Sequence, residues 1–93
     1  MKFEWDEKKN KDNINKHGFS FQYAKKVFDD SERLESDCYF INGEYRYDVL
    51  GKVRDILFVV CTDRKGDTIR IISARRATKK EEAIYYGYSD YDV

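Results

Sequence analysis

The sequence predicts one small α+β domain with a mainly antiparallel sheet, two N-terminal helices and one C-terminal helix. Helical periodicity is confined to the two ends of the chain, whereas the middle alternates between apolar and polar residues. Asn42-Gly43 and Lys65-Gly66-Asp67 divide the alternating part, and turns of this kind join antiparallel strands. The 93 residues include no Pro, and they contain no repeat and no linker, so a single domain is expected.

The N-terminal third predicts a short strand followed by two helices. Apolar and polar residues alternate over residues 3–5, as they do in a strand. Asp6 can cap a helix that runs to His17 and is stopped by Gly18. A second helix begins after Ser20, because apolar residues then recur at i, i+3, i+6 and i+7. The residues of this apolar stripe are Phe21, Ala24, Val27 and Phe28.

The middle of the chain predicts the strands of the sheet. Residues 33–40 alternate weakly, and residues 44–49 alternate clearly between an apolar and a charged face. Residues 56–62 are apolar at both odd and even positions, so both faces of this strand are apolar, which is typical of a central strand. Residues 68–74 are rich in Ile and predict the last strand. The apolar face of residues 44–49 consists of Tyr45, Tyr47 and Val49.

The junction between the last strand and the final helix is strongly basic. Thr78 and Glu81 have the spacing of a capping box, which predicts a helix from Thr78 to about Tyr86. A helix N-terminus has unpaired N–H groups and a partial positive charge, so this junction suits an anion such as phosphate. The cations at the junction are Arg75, Arg76, Lys79 and Lys80.

The charged residues are segregated along the chain. The formal net charge is zero, which by itself argues against a nucleic-acid partner. Residues 64–80, however, contain seven basic residues and one acid, whereas residues 29–48 contain seven acids and two basic residues. This separation favours one surface for anions and another for a basic partner. The alternative is that the charges are only solvated on the surface.

The cysteine and histidine content limits metal and disulfide chemistry. Cys38 and Cys61 are far apart in the sequence and form no CxxC pair, as expected for a protein of the reducing cytosol. Structural zinc needs four ligands, and the chain has one His, so no metal is expected. The N-terminus is too charged for a signal peptide, and no apolar run approaches the roughly 18 residues of a membrane span. We therefore expect a cytoplasmic protein with no membrane partner.

Four blocks of the sequence resemble one protein family. FEWDEKKNKDNINKHGFSFQYAKKVFDD, GEYRYDVLG, FVVCTDR and IRIISARRAT closely match the BrnT toxins of bacterial type II toxin–antitoxin operons. The resemblance extends from about Phe3 to Tyr86, so residues 1–93 are expected to form one BrnT-like domain. Residues 88–93 lie beyond the matching blocks and are expected to form a mobile tail.

The resemblance to BrnT toxins implies a fold and a function. It implies a fold similar to the RelE-like ribonuclease toxins and metal-independent RNA cleavage that inhibits translation and growth. It implies no cofactor. It also implies neutralisation by a BrnA-like ribbon-helix-helix antitoxin in a 2:2 heterotetramer, which binds operator DNA through the antitoxin. The alternative is a non-catalytic RNA- or protein-binding module that acts through its antitoxin partner in operon regulation.

Metal-free RNA cleavage needs a base, a proton donor and cations around the phosphorus atom. His17 is the first candidate acid or base, because histidine exchanges protons most readily near neutral pH, and helix capping is its alternative role. Glu44 is a second candidate base, with a salt bridge to Arg46 or to a neighbouring strand as the alternative. Arg64 and Arg75 end two adjacent strands at opposite ends of a hairpin. They are expected to serve different parts of one groove, unless they form structural ion pairs.

One face of the predicted first helix is polar. Lys9, Asn13 and Lys16 recur at i, i+4 and i+7, and this face can follow a phosphate backbone or be merely solvated. Exposed tyrosines can stack on bases, although packing against the core is the simpler alternative. The predicted catalytic residues are His17, Lys9, Arg64, Arg75 and Glu44. The predicted RNA-binding residues are Asn13, Lys16, Arg46, Arg76, Lys79 and Lys80.

Overall fold

The computed structural model describes residues 1–88, which form six strands and three helices in one α+β domain. In chain order the elements are β1 (Lys2–Glu4), α1 (Glu7–His17), α2 (Phe21–Ala24), a 3₁₀ turn (Lys25–Asp29), β2 (Leu34–Glu35), β3 (Tyr39–Ile41), β4 (Glu44–Lys52), β5 (Ile56–Arg64), β6 (Thr68–Arg76) and α3 (Lys79–Tyr86).

The sheet is mainly antiparallel, so the predicted fold class is confirmed. The strand order is β1-β6-β5-β4-β2, and β3 also pairs with β4. β5 lies at the centre, as its apolar sequence predicted. β1 is parallel to β6, whereas the other pairs are antiparallel. The strand predicted over residues 33–40 is divided into β2 and β3, which run antiparallel to β4 in nearly continuous register.

The helices begin and end at the predicted caps. The Asp6 carboxylate accepts hydrogen bonds from the first free N–H groups of α1, and Gly18 ends this helix with a φ of 83°. The predicted second helix forms a single turn, α2, and continues as the 3₁₀ turn. Thr78 and Glu81 form the predicted capping box of α3.

The core lies between the sheet and the N-terminal helices. Alternate residues of β5 point towards α1 and α2 and are buried there. Gly51 of β4 allows the 3₁₀ turn to approach closely, because a Cβ atom at this position would lie 2.6 Å from the Cβ of Val27. The largest fully buried side chains are Phe21, Leu57, Ile71, Val27, Val49, Val59 and Cys61.

One end of β4 extends past the core. Tyr47 and Val49 are buried, as predicted from the alternation of this strand. Tyr45 lies on the same face of the strand, as predicted, but it is exposed because it lies beyond the end of the core. It packs instead on Phe40 of β3, with 5.0 Å between the ring centroids.

β6 contains one residue, Ile72, without a partner on β5, because the register shifts between Val60 and Cys61. A β-bulge of this kind moves the alternation of side chains by one position. Arg70 and Arg75 are five positions apart and would lie on opposite faces of a regular strand. Here both lie on the face away from α1 and α2.

The C-terminal end of the described chain follows α3. The N–H of Tyr88 donates to the carbonyl of Ala83 at 2.9 Å. The remaining residues of the predicted tail, 89–93, lie outside the described residues. Over residues 1–88, no helix is long and apolar enough to cross a membrane.

Candidate functional site

Within residues 1–88, no element covers the middle of the sheet face that points away from α1 and α2. Ser73 is exposed although it lies well inside β6, and α3 covers only one end of this face, where Arg75 stacks on the ring of Phe58 at 4.2 Å. We call this surface the open face. It consists of Glu44, Arg46 and Asp48 of β4, Val60, Thr62 and Arg64 of β5, and Arg70, Ser73 and Arg75 of β6.

Glu44 and Arg46 form an ion pair at the start of β4. The Arg46 Nε atom lies 2.7 Å from Oε2 of Glu44, and both side chains are partly buried. The salt bridge that was the alternative for Glu44 is therefore present. Glu44 and Arg64 also line the same pocket, which has a volume of about 290 Å³. The Glu44 carboxylate thus pairs with one guanidinium group and shares a pocket with a second arginine.

Arg70 adds a third guanidinium group to the open face. It lies opposite Thr62 in the β5–β6 pair, and its Nη1 atom is 2.6 Å from Oε2 of Glu4. The same carboxylate oxygen lies 3.8 Å from Nε of Arg64, so one acid of β1 connects two arginines. Arg70 was not among the predicted site residues. The only indication of Arg70 in the sequence is that it is a single charged residue within a run of Ile residues.

Tyr39 and Asp48 form a second polar pair, and neither residue was predicted to belong to the site. Tyr39 lies opposite Arg46 in the β3–β4 pair, and its hydroxyl donates to Oδ1 of Asp48 at 2.6 Å. Burial and this hydrogen bond raise the pKa of Tyr39 to about 12, so the phenol is protonated at neutral pH. The sequence feature that could have indicated Asp48 is the alternation of β4, because it places Asp48 on the same face as Glu44.

Arg75 is engaged in a structural ion pair, which was its alternative role. Its Nη1 and Nη2 atoms donate to Glu81 at 2.7 and 3.0 Å, and these hydrogen bonds lower the pKa of Glu81 to about 2. Glu81 also accepts the N–H of Thr78, so one carboxylate caps α3 and fixes Arg75. Lys79 and Lys80 are exposed beside this contact.

The first helix lies on the other side of the sheet. Lys9 and Lys16 are exposed, but the predicted RNA contact by Asn13 is wrong, because this side chain is buried. Its Nδ2 donates to the carbonyl of Phe19 at 3.1 Å, and its Oδ1 accepts the N–H of Ala74 at 3.4 Å. Asn13 therefore joins α1 to the α2 junction and to β6.

His17 and Arg76 form a separate group at the end of α1. The carbonyl of His17 accepts a hydrogen bond from Nη1 of Arg76 at 2.9 Å, beside a pocket of about 610 Å³. Arg76 pairs with Leu57, seven positions along β5 from Arg64, which corresponds to about 23 Å. The predicted site residues therefore fall into two groups on different faces of the sheet.

The soft metal ligands of the chain are dispersed. Cys38 is exposed, Cys61 is buried, and both are free thiols. Burial raises the pKa of Cys61 well above its ordinary value. Within residues 1–88, no three His, Cys, Asp or Glu side chains are grouped so that they can hold a metal ion.

Comparison with known proteins decides the family. Residues 5–81 match the family described as "Ribonuclease toxin, BrnT, of type II toxin-antitoxin system". The chain belongs to the BrnT family. Among solved structures, it is similar to the 1.1 Å crystal structure of the ribonuclease toxin BrnT of Brucella abortus, with a TM-score of 0.62 and 24% sequence identity. The match covers 85% of this chain and 99% of that chain, whereas no curated protein matches.

Three of the sequence blocks that resemble the BrnT family contribute residues to the open face. The family consists of ribonuclease toxins, for which RNA is the substrate and an antitoxin is the partner. Three of the sequence blocks that resemble BrnT toxins are strands β4, β5 and β6. Five of their charged residues, Glu44, Arg46, Arg64, Arg70 and Arg75, lie on the open face, whereas Asp63 and Arg76 lie on the other face.

Proposed function

We propose that this BrnT-family toxin is a metal-independent endoribonuclease of the cytoplasm that cleaves RNA on the open face and inhibits translation and growth. The main support is that Arg46, Arg64 and Arg70 lie on one uncovered surface with the Glu44 carboxylate. Guanidinium groups bind phosphate oxygens through two parallel hydrogen bonds, and they stabilise the negative charge that develops on a phosphorane.

The proposed reaction uses the 2′-hydroxyl of RNA as its nucleophile. Glu44 takes the proton of this hydroxyl while the 2′-oxygen bonds to the adjacent phosphorus. The ion pair with Arg46, at 2.7 Å, holds this carboxylate on the open face. The bond from phosphorus to the 5′-oxygen then breaks, which yields a 2′,3′-cyclic phosphate and a free 5′-hydroxyl.

Tyr39 is the proposed proton donor to the leaving 5′-oxygen. Its raised pKa keeps the phenol protonated at neutral pH, and an alkoxide is a stronger base than a phenolate. Asp48 holds the hydroxyl on the open face at 2.6 Å and can take part in returning the proton. Tyr39 also lies opposite Arg46, beside the proposed phosphate position.

The remaining basic residues extend the proposed RNA path. Arg75, fixed by Glu81, closes the α3 end of the open face, where Lys79 and Lys80 can neutralise flanking phosphates. His17 and Lys9 lie in the layer behind the sheet. The proposal therefore gives neither of them a proton-transfer step.

The proposal includes neutralisation by the antitoxin. The toxin is inhibited by a BrnA-like ribbon-helix-helix protein in a 2:2 heterotetramer, which represses its operon by binding operator DNA. Assignment of the chain to toxins of type II toxin–antitoxin systems supports this partner. The likeness of the fold to RelE-like toxins remains a prediction from the sequence blocks.

The proposal is tested by RNA cleavage with purified toxin in EDTA. The variants are Glu44→Gln and Arg64→Ala on the open face, with His17→Ala as the comparison in the helical layer. We expect wild type to cleave, and both open-face variants to lose about 100-fold in rate with unchanged melting temperatures. His17→Ala keeps most of the activity.

Three other results would each contradict one part of the proposed function. Cleavage that stops in EDTA and returns with Mg²⁺ excludes metal independence. A large loss in His17→Ala with full activity in Arg64→Ala moves the site to the end of α1. Folded wild type that binds RNA without cleaving it supports the non-catalytic binding module.

A further inference from the structure

The β3–β4 hairpin exposes a cluster of large apolar side chains. Phe40 is 63% exposed, Tyr45 66% and Ile41 44%. The rings of Phe40 and Tyr45 contact each other edge to face, beyond the end of the core. We call Phe40, Ile41 and Tyr45 the hairpin patch. Phe40 and Tyr45 are cross-strand partners on one face of the hairpin, whereas Ile41 is the partner of Glu44 and lies on the other face. Exposed apolar side chains grouped in this way mark interaction surfaces more often than isolated ones do.

The hairpin patch lies on an edge strand. Within residues 1–88, β3 pairs with β4 alone, and its three residues are all exposed. The other side of β3 therefore has backbone N–H and C=O groups that an added strand can bond. An uncovered edge with aromatic side chains promotes aggregation, so a partner that covers it improves solubility.

The segment that forms the hairpin has a net negative charge. Residues 37–48 contain three acids, Asp37, Glu44 and Asp48, and one basic residue, Arg46. Arg46 is engaged in an ion pair, because its Nε atom lies 2.7 Å from Oε2 of Glu44. This net charge, with Asp37 exposed, attracts a basic polypeptide. The charge thus favours a protein partner over RNA.

The hairpin patch adjoins the open face. Tyr39 precedes Phe40 in β3, lies opposite Arg46 and bonds to Asp48 of the open face. A chain that binds along β3 consequently lies within one residue of the proposed catalytic groups. An occupant of this edge can therefore prevent RNA from reaching the open face.

We infer that the hairpin patch is the docking surface of the antitoxin. A segment of the antitoxin with Lys or Arg and apolar residues adds to the free edge of β3, packs on Phe40 and Ile41, and covers the open face. The inference rests on the antitoxin partner of the proposed function, but it does not depend on the cleavage chemistry.

The test measures binding of the antitoxin encoded beside this toxin by calorimetry. The patch variant is Phe40→Ser with Ile41→Ser, and Asp37→Lys reverses an exposed charge next to it. The control is Ile84→Ser with Tyr86→Ser on α3, whose side chains are 51% and 48% exposed. Tyr86 lies beside Lys52, at the far end of β4 from the hairpin.

We expect the patch variant to weaken antitoxin binding at least about 100-fold, since aromatic anchors dominate the energy of interfaces. Asp37→Lys weakens it about 10-fold and reduces its dependence on salt. The control changes the affinity less than about threefold. Without antitoxin, the patch variant and Asp37→Lys cleave RNA at the wild-type rate, and added antitoxin no longer inhibits the patch variant.

Normal antitoxin affinity in the folded patch variant overturns the inference. Loss of RNA binding with normal antitoxin affinity also overturns it, because the patch is then an RNA surface. Wild type that binds antitoxin through the patch but cleaves no RNA contradicts the proposed function and leaves the docking surface intact. If the double variant does not fold, Asp37→Lys provides the same test.

Discussion

The two faces of the sheet are made from neighbouring residues of the same three strands, yet their chemistry is opposite. On β5, Leu57, Val59 and Cys61 point towards the N-terminal helices and are buried. Thr62 and Arg64 point, with Val60, towards the open face. Since side chains alternate along a strand, adjacent substitutions report on different faces. The contrast shows that this fold separates stability from chemistry at the level of single positions.

The largest expected effect is a difference in RNA cleavage between variants of Arg70 and Arg76, two arginines of β6 that lie on opposite faces of the sheet. Arg70→Ala is expected to reduce RNA cleavage about 100-fold, because it removes one cation from the open face. Arg76→Ala removes a cation of the helical side and is expected to reduce cleavage less than about threefold. Single-turnover cleavage rates of proteins with equal melting temperatures measure both effects. Equal losses in the two variants would contradict a site confined to the open face.

The next effect concerns two adjacent valines of β5. Val59→Ala leaves a cavity at a fully buried position and is expected to lower the free energy of unfolding by about 2–3 kcal/mol. Val60→Ala removes the same atoms from the partly exposed open face and is expected to lower it by less than about 1 kcal/mol. Urea denaturation measures the difference. A larger loss for Val60→Ala would mean that another part of the protein covers the open face.

The smallest effect concerns the ion pair that fixes α3 at the end of the open face. The pKa of Glu81 is lowered from 4.5 to about 2, so its contribution to stability is complete above pH 4.5 and is lost as the pH falls towards 2. Because Arg75 is partly exposed, we expect Glu81→Gln to cost about 1–2 kcal/mol at neutral pH.

Unfolding free energies of wild type and Glu81→Gln at pH 7 and pH 2 test this expectation. The difference should be present at pH 7 and nearly absent at pH 2. Glu82→Gln is the matched control, and it is expected to change stability by less than about 0.5 kcal/mol at either pH. A difference that persists at pH 2 would show that Glu81 acts through packing instead of charge.

Local chemistry accounts for the parts of the fold that the sequence predicted. Asp6 and Gly18 fix α1, and Thr78 with Glu81 fixes the start of α3, because caps depend on residues within one turn. The division of residues 33–40 into two strands was not predicted. It arises from a register shift against β4, and register is a tertiary property.

The sequence predicted several members of the candidate site but not their grouping. Motif resemblance identified Glu44 and Arg64, whose shared pocket depends on the β4–β5 register. Helical periodicity assigned Asn13 to a solvated face, because it cannot show that the α2 junction folds back onto α1. Tyr39 and Asp48 were missed because nine positions separate them in sequence and only the hairpin joins them.

The unmatched residue Ile72 has a consequence for how relatives of this chain can be aligned. The spacing between Arg70 and Arg75 is odd, and the bulge at Ile72 is what brings both arginines to one surface. Deletion of Ile72 would leave them four positions apart, a spacing that places both arginines on one face of a regular strand without a bulge. A relative with the shorter spacing therefore keeps both arginines on the open face, and the gap in its alignment belongs at Ile72.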